Sequence, residues 1–179
     1  REDVDLVIPC SDLELFKMAE LKEEGRLKTK FAVASTKAIA NTFDKLKSYS
    51  FFKQFNLPFA ETVLIDDTDK LIEDVGFPII AKPVSGSNST GIEILFMAKD
   101  FYKRHDWEGY IFQDYLTLNK ETVKPEDILN HNILIQKDEV SCQIYVDKHG
   151  KIKNIFTSIN ELKKGMPHKL NPIKNHEAE

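Results

Sequence analysis

The sequence has 179 residues and a formal net charge of −4, with 41% hydrophobic and 30% charged residues. This composition is typical of a soluble globular protein with one ordinary domain or two small ones, and the chain is long enough to bury a core. The acidic balance excludes a globally basic nucleic-acid binder, so any phosphate ligand must be held by local lysines. No apolar run approaches the roughly 20 residues of a membrane span. No signal peptide is visible either, and we therefore predict a cytoplasmic protein.

The cysteines and histidines predict neither a disulfide nor a metal centre. Cys10 ends one apolar run and Cys142 lies within another, positions that are typical of buried free thiols in a reducing compartment. The five histidines have no cysteine or carboxylate at a ligand spacing, which argues against a zinc site.

The first part of the chain predicts a strand, a helix and a second strand. The apolar run 5–10 precedes Ser11, a candidate N-cap, and Glu14 stands where it would complete a capping box. The helix is predicted over 12–24, and 31–34 is the second strand. This order and spacing are typical of an open parallel sheet. Because the chain starts abruptly at charged residues, we expect it to begin inside a domain.

Helices and one strand are predicted in the next stretch, from capping residues and apolar runs. In chain order they are a helix at 35–40, a helix at 43–55 capped by Thr42, a strand at 60–65 and a brief helix capped by Thr68 that ends at Gly76.

The stretch that follows is the centre of the chain. Residues 77–83 predict an apolar strand with Pro78 at its start and Lys82 near its end. A loop of small, hydroxyl-bearing residues, 84–91, leads into a second strand, 92–97. Such a loop offers backbone N–H groups to polyphosphate oxygens, with the lysine as a fixed charge. A β-hairpin with a polar tip is an open alternative; a Walker A loop is excluded because no Gly-Lys-Ser/Thr ends the run.

The last part of the chain predicts mainly strands, with a polar insertion and a frayed C-terminal end. The predicted elements are helical turns at 99–104, a strand at 110–116, the insertion 117–131 with a short helix at 126–129, strands at 132–136, 140–147 and 151–158, a hairpin turn at 147–150, and a frayed end at 171–179.

Four motifs occur in a characteristic order. They are Asp44-Lys45 at a helix start, the strand 77–83 with its small-residue loop, Phe112-Gln113-Asp114-Tyr115-Leu116, and the segment 138–147 with Glu139 near its start. This set resembles the ATP-grasp superfamily, with features of the carbamoyl-phosphate synthase large subunit and its stand-alone relatives, over about 5–158.

The resemblance implies an α+β fold in which two α+β subdomains clamp ATP, preceded by the end of a Rossmann-like α/β domain. The implied domains are 1–40 (the Rossmann-like part), 41–110 (the N-terminal subdomain with phosphate loop 84–91) and 111–179 (the hinge and an incomplete C-terminal subdomain).

The resemblance also implies a role for each motif residue. Lys45 would bind the α-phosphate and Lys82 the α- and β-phosphates. The loop residues would close over the β- and γ-phosphates, the hinge would read the adenine edge through its backbone, and Glu139 would bind the ribose hydroxyls. The loop residues are Ser85, Gly86, Ser87, Ser89 and Gly91, and the hinge residues are Gln113, Asp114, Tyr115 and Leu116.

The chain departs from the family pattern in two respects. Glu139 follows Leu116 by 23 positions, a longer interval than the family usually has. The family's metal-binding carboxylate and Glu-x-Asn pair would lie beyond Glu179, so no catalytic or metal-binding residue is assigned, and we expect the chain to be cut at both ends.

The implied function is that of an ATP-dependent ligase. It would use ATP and Mg²⁺ to activate a carboxylate or bicarbonate as an acyl phosphate, which an amine or ammonia then attacks. The alternative is a non-catalytic nucleotide-binding or structural module that lacks the metal site. A nucleic-acid binder built on 148–174 is disfavoured by the acidic total and the lack of stacking aromatic residues. The acceptor substrates and the oligomeric state are left open, with a homo-oligomer as one option.

Overall fold

The chain forms two compact units in a computed structural model that describes residues 4–86, 89–116, 124–130, 133–163 and 166–174. The first unit comprises 1–87 with 91–117, and the second comprises 88–90 with 118–179. Each unit has its own antiparallel sheet of four strands. The predicted domain boundaries at 40 and 110 stay a prediction.

The first unit begins with the predicted strand, helix and strand. β1 (Leu6–Val7) and β2 (Lys30–Phe31) pair in parallel, and α1 (Asp12–Glu24) connects them. The helix ends at Gly25 with φ of 65°, the left-handed conformation that glycine adopts at low cost. The parallel arrangement predicted from the spacing is therefore confirmed.

The capping box predicted at the start of α1 is wrong. The Ser11 side chain makes no capping hydrogen bond, and the Glu14 carboxylate accepts from the backbone N of Cys10 at 3.3 Å. The glutamate therefore reaches one residue further back than a capping box requires.

Two helices follow, α2 (Thr36–Phe43) and α3 (Lys45–Gln54), and the boundary between them differs from the predicted one. Thr42 lies inside α2, where its hydroxyl donates to carbonyls one turn earlier. Asp44 is the N-cap of α3, and its carboxylate accepts two backbone N–H bonds of the first turn, each of 2.9 Å. The helix therefore starts at Lys45, because Asp44 supplies the acceptor that the free N–H groups need.

The sheet of the first unit is antiparallel, and its strand order is β3-β6-β4-β5. The predicted hairpin around the small-residue loop is confirmed by the pairing of β4 with β5. The strand predicted at 60–65 is shorter than expected, because the chain turns into a 3-10 helix at Ile65–Asp67. The strands are β3 (Thr62–Val63), β4 (Ile79–Pro83), β5 (Glu93–Leu95) and β6 (Tyr110–Asp114).

One face of this sheet forms the core with α4 (Thr68–Val75). Asp67, and not the predicted Thr68, precedes this helix as its N-cap position, and Gly76 follows its end. A 3-10 helix, Ala98–Lys103, occupies the stretch predicted as helical turns. The buried core side chains are Leu71, Ile79, Ala81, Leu95, Trp107 and Phe112.

The second unit is a sheet with the strand order β10-β9-β8-β7. The two strands predicted at 132–136 and 140–147 are one long strand with a register shift between Gln136 and Glu139. The predicted turn is confirmed, with the Asp147 carboxylate accepting from the backbone N of His149 and Lys151. The elements are α5 (Pro125–Ile128), β7 (Leu129–Asn130), β8 (Ile133–Val146), β9 (Ile152–Lys163) and β10 (Met166–Ile173).

Two further expectations need correction. The frayed end predicted at 171–179 is wrong for 171–173, because these residues belong to β10 and pair with β9; residues 175–179 of that prediction lie outside the described residues. Cys10 and Cys142 are free thiols, as predicted, but both are exposed.

Within the described part of the chain, no helix has the length and apolar character needed to cross a membrane.

Candidate functional site

Lys82 lies near the end of β4, on the face of the sheet opposite the α4 core. Its neighbours Ala81 and Ile79 point into that core, and successive strand residues point to opposite faces. The side chain is half-buried, and among the described residues no acceptor lies within hydrogen-bond distance of its ammonium group. Burial lowers the pKa of Lys82 below its usual value, and the nearby charge of Lys45 lowers it further. The structure thus describes no acidic partner for this cation among the residues that it covers.

Lys45 is joined to the start of the small-residue loop. Its ammonium donates to the carbonyl oxygens of Pro83 (3.0 Å) and Gly86 (3.3 Å), and its backbone N donates to the carbonyl of Val84 (2.9 Å). Burial lowers the pKa of Lys45, and the carboxylate of Asp44 partly opposes this. The predicted site lysines, Lys45 and Lys82, therefore lie together at the beginning of loop 84–91, although 37 positions separate them in the sequence.

The N-terminus of α3 is not free to bind an anion. The Asp44 carboxylate accepts from the backbone N of Leu46 and Lys47, and the backbone N of Lys45 is bonded to Val84. Helix N-termini bind phosphate through free N–H groups, and these three already have acceptors. These three N–H groups are therefore not available to a phosphate in this region.

The C-terminal end of the loop packs closely against β4 and β6. Gly91, with φ of 74°, closes it, and a Cβ added there would lie 3.0 Å from Pro83 Cγ and 3.0 Å from Tyr110 Oη. Ser85 and Gly86 are exposed at the other end. The backbone at Gly91 therefore comes close to β4, and a residue without a side chain allows this approach.

Other predicted loop residues are described only in part. Ser89 has φ of 54°, an uncommon conformation for a residue with a side chain. Ser87 lies outside the described residues, so its role in phosphate binding stays a prediction.

The hinge residues Gln113 and Asp114 are paired with neighbouring strands, whereas Tyr115 and Leu116 lie beyond the paired part of the strand. β6 lies between β3 and β4, where Gln113 is paired with both neighbours and Asp114 with β4. The backbone N of Asp114 also donates to the carbonyl of Glu61 at 3.4 Å. Tyr115 and Leu116 follow the last pair of this ladder. Their backbone groups therefore lie beyond the ladder of β6.

The side chains of the hinge residues differ in their surroundings. Gln113 is buried, and its Nε2 donates to Thr62 Oγ1 at 2.7 Å, so this side chain serves the sheet. Burial raises the pKa of Tyr115, whereas Leu116 is 71% exposed. Leu116 is thus an exposed apolar side chain.

Glu139 belongs to the second unit, where it is paired with Asn160 on β9. Next to it, the Asn160 side chain donates to Ser141 Oγ and accepts from Ser158 Oγ, both at 2.9 Å. Glu139 is half-exposed, as a residue that binds ribose hydroxyls must be. The role of Glu139, like that of the other predicted site residues, remains a proposal.

Sequence reasoning missed the hydrogen bonds between Lys45 and the carbonyls of Pro83 and Gly86. The partners are separated by 38 and 41 positions, so no local pattern indicates them. The described residues contain no group of three His, Cys, Asp or Glu side chains that could hold a metal ion. No residue of the described chain is therefore assigned to Mg²⁺.

Comparisons with known proteins extend this description. No protein-family model matches the sequence. The chain is 36% identical over 63 residues to a D-alanine–D-alanine ligase of Rickettsia canadensis, a match that covers 35% of this chain and 18% of that protein. It is 25% identical over 114 residues to a carbamoyl-phosphate synthase of Methanobrevibacter smithii, covering 59% of this chain and 31% of the relative.

A solved structure agrees with these sequence matches. An N5-carboxyaminoimidazole ribonucleotide synthetase in complex with ADP has a TM-score of 0.63 at 15% identity, over 93% of this chain and 40% of the other. The chain thus spans 40% or less of each of these proteins. All three are ATP-dependent ligases of the ATP-grasp type. The predicted α+β class and the predicted resemblance are both confirmed: the chain has the ATP-grasp fold and is related in sequence to ligases of that superfamily.

Proposed function

We propose that this chain is the ATP-binding part of an ATP-grasp ligase. The intact enzyme would activate a carboxylate or bicarbonate as an acyl phosphate, which an amine or ammonia then attacks, as in a carbamoyl-phosphate synthase. The observation that carries the proposal is the pair of lysines at the start of loop 84–91, one of which has no acceptor among the described residues.

The two lysines have complementary tasks in this proposal. Lys82 is desolvated and repelled by Lys45, and a bound polyphosphate would relieve both effects by supplying negative oxygens. Lys45 holds the carbonyls of Pro83 and Gly86 in the ligand-free chain. A phosphate oxygen would replace or share these acceptors, so nucleotide binding and the position of the loop would be coupled.

In this proposal, backbone groups bind the adenine and a carboxylate binds the ribose. The backbone of Tyr115 and Leu116 lies beyond the ladder of β6 and would read the adenine edge, while the exposed Leu116 side chain would cover the ring. The carboxylate of Glu139 would accept hydrogen bonds from two ribose hydroxyls.

Mg²⁺ is included in the proposal as the ion that accompanies the nucleotide and neutralises phosphate charge. Nucleotide placement in such chemistry supplies much of the rate enhancement. The residues of this chain therefore contribute by orienting the phosphates and by neutralising their charge.

Calorimetric titration of the chain with ATP, ADP and AMP, each with and without Mg²⁺, tests the binding half of the proposal. We expect ATP and ADP to bind more tightly than AMP, because the lysines and the loop contact the outer phosphates. Failure to bind any adenine nucleotide, or equal affinity for ATP and AMP, would refute the site. The chemistry is tested by adding hydroxylamine with candidate carboxylates and ATP, since an acyl phosphate is trapped as a hydroxamate.

A further inference from the structure

A cluster of four side chains, Glu93, Arg104, Trp107 and Tyr110, lies beside the phosphate loop but outside the proposed nucleotide contacts. The Arg104 guanidinium bonds Glu93 Oε1 through Nε at 3.0 Å and through Nη2 at 2.9 Å. It also lies over the Tyr110 ring, 4.5 Å from the centroid. The edge of Trp107 meets the Tyr110 ring at a centroid distance of 5.2 Å. The Tyr110 ring is therefore held by a cation on its face and by a second aromatic ring.

Tyr110 connects this cluster to both ends of loop 84–91. It is directly opposite Pro83 in the register of β4 and β6, immediately before the loop begins. Its hydroxyl oxygen would lie 3.0 Å from a Cβ placed on Gly91, where the loop ends. The backbone N of Val84 also donates to the carbonyl of Gly109, next to Tyr110, at 2.8 Å.

The described ends of loop 84–91 are thus supported by two different residues. Lys45 binds the carbonyl of Pro83, just before the loop, and that of Gly86, and Tyr110 occupies the space against Gly91 and Pro83. Glu93 is two residues beyond Gly91, so the cluster fixes β5 at the point where the loop returns to the sheet.

We propose that Arg104 is a positioning residue for the phosphate loop. By stacking on Tyr110 and bonding Glu93, it holds the phenol against Gly91 and sets where the loop returns relative to Lys82. This inference rests on the proposed function, because the loop matters only if it covers the outer phosphates of a nucleotide.

The chemistry of the contact requires arginine. A planar guanidinium can stack on an aromatic ring and bond a carboxylate along its edge at the same time. Lysine at this position retains the charge and can reach Glu93, but it loses the planar stack. Arg104→Lys therefore separates stacking from charge.

The experiment compares affinities for ATP and AMP in the wild-type chain and in Arg104→Lys, Arg104→Gln and Tyr110→Phe. Stacking of this kind contributes about a two- to fivefold factor at an exposed site. We expect both Arg104 variants to weaken ATP binding by that factor and to leave AMP binding unchanged. Tyr110→Phe retains the stack but removes the hydroxyl beside Gly91, and it should give a smaller effect of the same sign. Lys99→Gln, which removes an exposed positive charge from the same segment, is the matched control.

The outcomes are distinguishable. Loss of ATP affinity alone supports the positioning role, whereas equal loss for ATP and AMP shows a general structural effect and overturns it. Unchanged ATP binding in Arg104→Gln, with a melting temperature equal to that of the wild type, also overturns it. If Arg104→Gln does not fold, the ratio of ATP affinity to AMP affinity in Tyr110→Phe and Arg104→Lys decides the question. A wild-type chain that binds neither nucleotide refutes the proposed function, and this inference with it.

Discussion

Substitution of Lys82 by methionine should change stability and nucleotide affinity in opposite directions. Methionine keeps an unbranched side chain of similar length but removes the ammonium group. That group is half-buried, has no acceptor among the described residues and is repelled by Lys45. A desolvated polar group without a partner costs about 1–3 kcal/mol, so its removal should stabilise the ligand-free chain by about 1 kcal/mol.

The magnitudes can be measured directly. For a chain of this size, about 1 kcal/mol raises the melting temperature by roughly 2–4 °C. Hydrogen bonds to charged groups contribute about 1.5–3 kcal/mol, so ATP affinity should fall by about 10- to 100-fold. Thermal unfolding and calorimetric titration of the same preparations give both values. Lys47→Met, on the exposed side of α3, is the control that should change neither.

Two results would contradict this reasoning. A Lys82→Met chain that is less stable than the wild type would show that the ammonium group has a stabilising partner. A chain that gains stability but binds ATP as tightly as before would show that Lys82 does not contact the phosphates.

Three further predictions concern the same site. Lys45→Ala removes the hydrogen bonds to Pro83 and Gly86. Amide hydrogen exchange at the start of the loop should therefore accelerate by about tenfold in the ligand-free chain. Unchanged exchange would show that these bonds do not hold the loop in place. If Glu139 binds the ribose, the wild type should prefer ATP to 2′,3′-dideoxy-ATP, and Glu139→Gln should lose most of that preference; an equal preference in both chains would exclude the role. Because burial and Lys45 lower the pKa of Lys82 below 10.5 and a bound phosphate would raise it, ATP affinity should fall as the pH rises through the lowered pKa. Titration of Lys82→Met over the same range should show a flatter profile.

The part of the fold that sequence could predict is the part marked by local signals. The strand of Lys82 begins after Pro78, and the loop ends at Gly91, so the hairpin is delimited by residues with restricted or unusual backbone conformations. The strand-helix-strand unit before it depends on apolar spacing and a terminal glycine, which also act locally.

The predictions from sequence were wrong where two residues could each cap the same helix, or where the structure of a segment depends on a partner distant in the sequence. Thr42 and Asp44 are both capping residues, and only the position of the free N–H groups of α3 selects Asp44. The stretch 166–173 has little apolar alternation, and it becomes a strand because β9 supplies its hydrogen-bond partners. Exposure of Cys142 depends on what covers β8, which the sequence of β8 does not contain.

The candidate site shows the same limit. The lysines could be named from their motifs, but the bonds from Lys45 to the loop carbonyls join elements 38 and 41 positions apart. The support of Gly91 by Tyr110 is equally non-local. Sequence therefore proposed the residues of the candidate site, and the packing of the sheet shows how Lys45 and Tyr110 contact the two ends of the loop.

The central position of β6 has a consequence for how nucleotide preference could change during evolution. Two neighbouring strands use its backbone as far as Asp114, so discrimination between adenine and guanine would depend on main-chain atoms just past the strand. Every amino acid except proline has the same main-chain donor and acceptor, so most point substitutions in the hinge would leave the base preference intact. Insertion or deletion of one residue after Asp114 would shift the whole donor and acceptor pattern, and is the simplest route to a different base.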